Sequence, residues 1–291
     1  MEKILTLGIP KGSLQNATVN LFKKSGWRIN VEGRSYFPDI NDNSIECTLC
    51  RAQEMSINVE SGIIDAGLTG LDWVAEHESD VHVVTDLIYS KVSARPARWI
   101  IAVANDSPIK TLEDLEGKTV STELIKFTKR FFKEKNINVN VKFSWGATEA
   151  KIVSGLADAI VEITETESTI SAHNLRVIHD IMETNTQLIA NKKAWECPKK
   201  REKIEQISML LQAALVAGKL VGIKMNVPET KMSEVVSLLP SLNAPTIASL
   251  YQSDWYSVES IIDTSLVRDL IPQLLKAGAE GIIEYPLNKV L

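Results

Sequence analysis

Three cysteines and four histidines are all that this chain of 291 residues offers a soft metal, and neither set is spaced to bind one. Cys47-Thr48-Leu49-Cys50 has the spacing of a redox or metal pair. No second pair completes a zinc site, however, and residues 44–49 read as a strand, where positions three apart face opposite sides. His77, His82, His173 and His179 show no ligand spacing, so no protein-held metal is expected. No apolar run approaches the roughly 20 residues of a membrane span. Met1-Glu2-Lys3-Ile4 leads into a strand rather than a signal peptide, so the expectation is a cytoplasmic protein without a membrane partner. Basic excess is missing too. The formal net charge is -5, and runs such as Lys199-Lys200-Arg201 are short, which argues against nucleic acid as a partner.

What is present is ordinary globular material, 44% hydrophobic and 24% charged, enough for two or three domains. Residues 4–9 read as a buried strand that turns through Pro10-Lys11-Gly12-Ser13 into a helix with Leu14, Ala17, Leu21 and Phe22 on one face. A helix over 52–61, a strand over 63–67 and a helix from Thr69-Gly70-Leu71-Asp72 continue this α/β pattern. A break near 90–96 opens a second lobe, with strands at 99–104 and 139–143 and helices at 111–117, at 123–135 and before Gly155. Strands at 176–181 and 187–191 follow, then a long helix over 198–217. One short echo joins the lobes: Ser61-Gly62-Ile63-Ile64-Asp65-Ala66 and Ser154-Gly155-Leu156-Ala157-Asp158-Ala159 share S-G-x-x-D-A, each where a helix gives way to a strand. Two similar half-domains facing a cleft are therefore expected, with a ligand at the carboxyl ends of the strands.

The last residues are organised differently. Val221, Ile223, Met225 and Val227 alternate along a strand; a helix after Pro228, strands near 245–251 and 254–262, a helix over 265–277 and a strand at 281–285 complete β-α-β-β-α-β, the order of a ferredoxin-like domain. The expected boundaries are 1–92 with 182–217 for the first lobe, 93–181 for the second and 218–291 for the third unit.

The most unusual stretch is Glu162-Ile163-Thr164-Glu165-Thr166-Glu167-Ser168-Thr169, directly after the apolar run 159–161. Read plainly, it is a polar turn leaving a buried strand. Read chemically, it lies between a strand's carboxyl end and a helix start, where hydroxyls and free N–H groups can hold a phosphate. A carboxylate beside a phosphate repels it, so in that reading Glu162 must face hydrogen-bond donors, such as those of a ribose. Both readings fit the spacing.

Pro10-Lys11-Gly12-Ser13-Leu14, Arg34-Ser35-Tyr36, Arg51-Ala52-Gln53-Glu54 and the runs 65–72 and 158–169 resemble, in order, the motifs of the ATP phosphoribosyltransferases, which open histidine biosynthesis. The tail, through residues 221–228, 244–247 and 278–282, resembles the extra domain of the long-form enzymes. The resemblance implies two α/β lobes of the periplasmic-binding-protein type II kind around a cleft, plus the ferredoxin-like domain. The implied reaction moves the phosphoribosyl group of 5-phosphoribosyl 1-pyrophosphate to N1 of ATP and releases pyrophosphate. On the same resemblance Lys11 and Arg51 are the catalytic cations, and Lys11, Gly12, Ser13, Arg34 and Asp72 meet ATP, with helix capping as the other reading of Asp72. Glu162 takes the ribose hydroxyls, and Thr166, Ser168 and Thr169 wrap the 5'-phosphate within a loop that also holds Thr164, Glu165 and Glu167. Many relatives carry glycine in place of Glu167, so either this side chain turns outward or the loop differs. Mg²⁺ is implied as a companion of the substrate, with no protein ligand. Histidine is implied as a feedback inhibitor at Asn226, Leu242, Thr246, Ile261 and Gly281, in a homo-hexamer that exchanges with dimers. The competing expectations are a clamshell small-molecule binding or sensor protein and a phosphoribosyltransferase with another acceptor.

Overall fold

Each of the first two lobes is built on a five-stranded sheet whose inner strands are largely buried. The computed structural model describes residues 4–31, 35–89, 96–240 and 244–291. By packing, the chain forms two units, Met1–Lys23 with Trp27–Ser208 and Lys24–Gly26 with Met209–Leu291, and both lobes belong to the first.

In the first lobe Leu5–Lys11 runs parallel to Ile45–Arg51 on one side and to Ala66–Gly70 on the other. Thr186–Ala190 is antiparallel to Ala66–Gly70 and to the edge strand His82–Leu87. Leu5, Leu7, Ile9 and Leu68 are buried because helices cover the sheet, as expected where a parallel sheet reads as a continuous apolar run. In the second lobe Ala97–Ala104 lies antiparallel between Leu175–Thr184 and Ala159–Thr164, which in turn runs parallel to Thr119–Thr122 and through it to Asn140–Phe143. The chain passes between the sheets twice. One passage includes residues 90–95, where the predicted break lies outside the described residues; the other is Asn185 alone, between two strands.

The S-G-x-x-D-A echo proves to be one device used twice. Gly62 and Gly155 both take left-handed φ, +79° and +70°, to end a helix. Asp65 then donates its N–H to Thr6 O at 3.0 Å and accepts the Thr6 N–H on Oδ2 at 2.9 Å. Asp158 donates to Thr119 O at 2.9 Å and accepts the Thr119 N–H at 2.8 Å. In both lobes the aspartate clamps a residue at the start of the neighbouring parallel strand, Thr6 or Thr119, so parallel pairing begins at a defined register. The strand predicted at 63–67 accordingly forms as Ala66–Gly70, because Asp65 is spent on the clamp. The helix predicted over 111–117 is reduced to one tight turn, Glu113–Leu115, since the Asp114 carboxylate accepts the N–H groups of Lys110 and Thr111 at 2.8 and 2.9 Å.

The C-terminal unit carries a four-stranded antiparallel sheet in the order Thr246–Ser249, Trp255–Asp263, Leu220–Pro228, Glu280–Pro286. That order, with helices Met232–Leu238 and Val267–Lys276 between strands, is the ferredoxin-like arrangement. Val221, Ile223, Met225 and Val227 face its core with Val235, Val258 and Leu274. Among the described residues no helix is long and apolar enough to cross a membrane.

Candidate active site

The carboxyl ends of Leu5–Lys11, Ile45–Arg51 and Ala66–Gly70 in one lobe, and of Ala159–Thr164 in the other, border one cleft of about 640 Å³. Its first wall is cationic. Leu5–Lys11 ends at Lys11, and Gly12, at φ +110°, makes a turn that a residue with a Cβ would resist, leading into the helix Gln15–Ser25. Lys11 Nζ stands 3.9 Å from the centre of the Tyr36 ring, a cation–π contact. Arg51 closes its strand in extended conformation, φ -63° and ψ 141°, immediately before the helix Ala52–Glu60, and its side chain is exposed in the cleft. Ser13 joins the same wall. Arg34 lies outside the described residues.

Asp72 sits at the base of the cleft, buried at 4% exposure. Gly70 leaves the space it fills, since a Cβ there would collide with Asp72 Oδ1. Both oxygens are engaged: Oδ1 accepts the Trp73 N–H at 3.0 Å and Oδ2 the Trp99 indole N–H of the second lobe at 2.9 Å. Burial pushes its carboxyl up, against the pull of the Trp99 donor. The helix Leu71–His77 makes a second grip on the second lobe. Its Glu76 accepts the N–H groups of Lys126 and Phe127, each at 2.9 Å, and so caps Ile125–Glu134 from outside.

The second wall is the loop. Glu162, on the strand Ala159–Thr164, is half-buried, and burial pushes its carboxyl up to about 7, with Glu149 and Glu123 adding repulsion. Thr164, Glu165, Thr166, Ser168 and Thr169 all line the cleft. The Glu167 N–H donates to Thr164 Oγ1 at 2.8 Å, and Thr166 Oγ1 donates to Ser168 Oγ at 3.1 Å, so the hydroxyls already order the loop. Glu167 itself does not line the cleft. Its backbone is left-handed, φ 58° and ψ 9°, and its carboxylate pairs with Arg98 on the strand Ala97–Ala104. Of the two alternatives the sequence left open, the structure takes the outward one.

Several cleft residues escaped the sequence reading. Glu123 accepts the Gly146 N–H at 3.0 Å and holds the following loop in place. Tyr89 lines the cleft with its hydroxyl 2.7 Å from Thr18 Oγ1, and burial pushes that phenol up to about 12. Thr184-Asn185-Thr186 forms the inter-lobe passage, and Asn185 O accepts the Leu71 N–H at 3.0 Å. A polar trio between two apolar strands was the available signal. Among the described residues no three His, Cys, Asp or Glu side chains converge to hold a metal ion. Cys47 and Cys50 are both buried, and neither forms a disulfide among the described residues.

In the C-terminal unit, Asn226 and Gly281 come together, Asn226 Nδ2 lying 3.6 Å from where a Gly281 Cβ would stand. Thr246 belongs to the edge strand, two strands away, opposite Glu259, while Ile261 pairs with Gly222. Leu242 lies outside the described residues.

A two-lobed α/β enzyme with cations on one wall of its cleft and a hydroxyl-rich loop on the other is built to close on an anionic, hydroxyl-bearing small molecule. Residues 51–213 match the family described as HisG, ATP phosphoribosyltransferase, and residues 217–289 match HisG, C-terminal domain. Over its full length the chain is 70% identical to the ATP phosphoribosyltransferase of Desulfosudis oleivorans and 69% identical to that of Desulfatibacillum aliphaticivorans, covering 100% of each. Among solved structures, the ATP phosphoribosyl transferase (HisG:HisZ) complex from Thermotoga maritima matches with a TM-score of 0.62 at 25% identity, over 73% of this chain and 99% of that one. The chain belongs to the ATP phosphoribosyltransferase family.

Proposed function

We propose that the cleft joins 5-phosphoribosyl 1-pyrophosphate to N1 of ATP, the first step of histidine biosynthesis, with the ribose phosphate on the loop 162–169 and the pyrophosphate toward Lys11 and Arg51. The observation that carries this reading is the division of the cleft: exposed cations on one lobe, and on the other a loop whose hydroxyls at Thr164, Thr166, Ser168 and Thr169 line the cleft with Glu162 and Glu165, while Glu167 is turned away. In the step itself the N1–C1' bond forms and the C1'–O bond to pyrophosphate breaks. Adenine N1 attacks with a neutral lone pair, so no base has to remove a proton first. Stabilising the departing pyrophosphate is the main task, and Lys11 and Arg51 perform it. Glu162 accepts from the ribose hydroxyls; Thr166, Ser168 and Thr169 donate to the 5'-phosphate, with Thr164 and Glu165 shaping the loop. ATP lies against Lys11, Gly12, Ser13 and Arg34, over a floor formed by Asp72. Mg²⁺ carried by the substrate would offset the charge of the pyrophosphate beside Lys11 and Arg51.

The C-terminal unit we assign to histidine binding and assembly in the cytoplasm, as a hexamer in equilibrium with dimers. Its edge strand Thr246–Ser249 is exposed throughout, and Ile247 and Ile283 are 45% and 58% exposed, leaving surface that another copy can cover. Asn226 and Thr246 would then supply hydrogen bonds to histidine, beside Leu242, Ile261 and Gly281.

The test is pyrophosphate release from phosphoribosyl pyrophosphate and Mg²⁺ with ATP as acceptor. Release with a different acceptor points to another phosphoribosyltransferase, and binding without turnover points to a clamshell binding protein. Millimolar histidine is expected to inhibit the intact chain and not a chain ending at Gly218; inhibition of both would sink the regulatory assignment. Within the loop, Thr169→Val is expected to weaken phosphoribosyl pyrophosphate binding by about 1–3 kcal/mol and to leave the KM for ATP nearly unchanged. Equal effects on both substrates would remove Thr169 from the phosphate site.

A further inference from the structure

Glu167 stands in the left-handed region, φ 58°, at the last position before the single helical turn Ser168–Ala172. A residue with a Cβ populates that region poorly, on the order of tenfold less than the right-handed one. A contact that holds the side chain can offset this cost. Arg98 is in place to do so. It occupies a strand on which its neighbours Ala97 and Trp99 line the cleft while Arg98 does not. From that outer position its guanidinium pairs with the Glu167 carboxylate and, through Nη1, donates to both oxygens of Asp180 at 2.7 and 2.8 Å. Asp180 belongs to the flanking strand Leu175–Thr184, so the arginine is itself anchored to the sheet. The same backbone Glu167 carbonyl accepts the Ser171 N–H at 2.9 Å, and the Glu167 N–H is held by Thr164. Holding the side chain therefore holds the turn that aims Thr166, Ser168 and Thr169 into the cleft.

We propose that Arg98 is a positioning residue for the phosphate loop: the Asp180–Arg98–Glu167 chain clips the loop from behind, fixes the left-handed turn and keeps the Glu167 carboxylate off the incoming phosphate. The proposal rests on the reading of 162–169 as the phosphoribosyl loop. It makes opposite demands on two replacements at one position. Arg98→Ala loses the clip and frees the carboxylate, so it should raise the KM for phosphoribosyl pyrophosphate about threefold to tenfold with the KM for ATP within about twofold; Glu167→Gln keeps the Cβ and loses the ion pair but carries no charge, so its rise in the same KM should be smaller. Glu167→Gly removes the conformational cost itself, so the double variant Arg98→Ala, Glu167→Gly should bind phosphoribosyl pyrophosphate more tightly than Arg98→Ala alone.

Steady-state kinetics on the full-length variants, with melting curves to confirm folding, read the first effect. Amide exchange over residues 164–172 of the ligand-free protein reads the second: faster exchange in Arg98→Ala and Glu167→Gln, slowed again in the double variant relative to Arg98→Ala. An Arg98→Ala protein with unchanged KM for phosphoribosyl pyrophosphate and unchanged exchange overturns the clip, and so does a double variant no better than the single one. If the parent protein releases no pyrophosphate, the functional reading fails while the exchange experiment still decides whether Arg98 orders the loop.

Discussion

Arg51→Ala is expected to lower kcat by about two to three orders of magnitude while the melting temperature of the same preparation stays close to that of the parent protein. Arg51 ends a strand that is otherwise buried or half-buried, yet its own side chain is exposed at the cleft, and among the described residues no ion pair ties it down. Removing such a side chain leaves no buried partner unpaired, so the folded state has little to lose. Charge that develops only as pyrophosphate departs has much to lose, because a guanidinium opposite the leaving oxygens acts more strongly on the transition state than on bound substrate. Phosphoribosyl pyrophosphate affinity should fall as well, by a smaller factor. A variant that melts early but turns over normally per folded molecule would make Arg51 a structural residue.

Glu162→Gln should have two effects of opposite sign, both set by pH. The carboxyl is pushed from the ordinary 4.5 up to about 7, chiefly by burial. Between those values the folded chain holds a proton that the unfolded chain has released. Its contribution to stability is therefore complete below about pH 4.5 and is lost as pH rises through about 7. Glutamine carries no charge to bury. The variant should match the parent at pH 5 and exceed it by about 1–3 kcal/mol at pH 8, an allowance that counts the water reaching a half-buried group. Catalysis should run the other way. Only the carboxylate can accept from two ribose hydroxyls at full strength, so kcat/KM for phosphoribosyl pyrophosphate in the parent should climb through pH 7, and in the variant should be lower and flat. A variant that retains the parent's acid limb would show that another group titrates there.

What the sequence disclosed follows from how far apart in the chain the interacting groups lie. S-G-x-x-D-A could be seen because a helix cap and a strand start are separated by a few residues, and its repetition announced two half-domains. The alternation at 221–227 exposed the third unit for the same reason. The phosphate loop was visible as composition, but the orientation of Glu167 was not, since its partner Arg98 is 69 residues away. The Asp72–Trp99 bond spans 27 residues and the Asp72–Thr184 contact 112, and neither leaves a periodic trace. Asp72 was legible only as a helix-start residue with two possible uses; its third use, between lobes, needed both sheets in place.

Asp72 and Glu76 are separated by one helical turn and so share a face of Leu71–His77. One takes the Trp99 indole and the other the bare end of Ile125–Glu134, both in the opposite lobe. This helix is therefore an axle. Pulling the lobes straight apart would strand two buried carboxylates and two capping N–H groups at once, a cost that rotation about the axle avoids. Substrate entry should consequently open the rim where Lys11 and Thr169 stand and leave the floor at Asp72 closed, so that the same hinge sets the spacing between leaving group and ribose each time the cleft shuts.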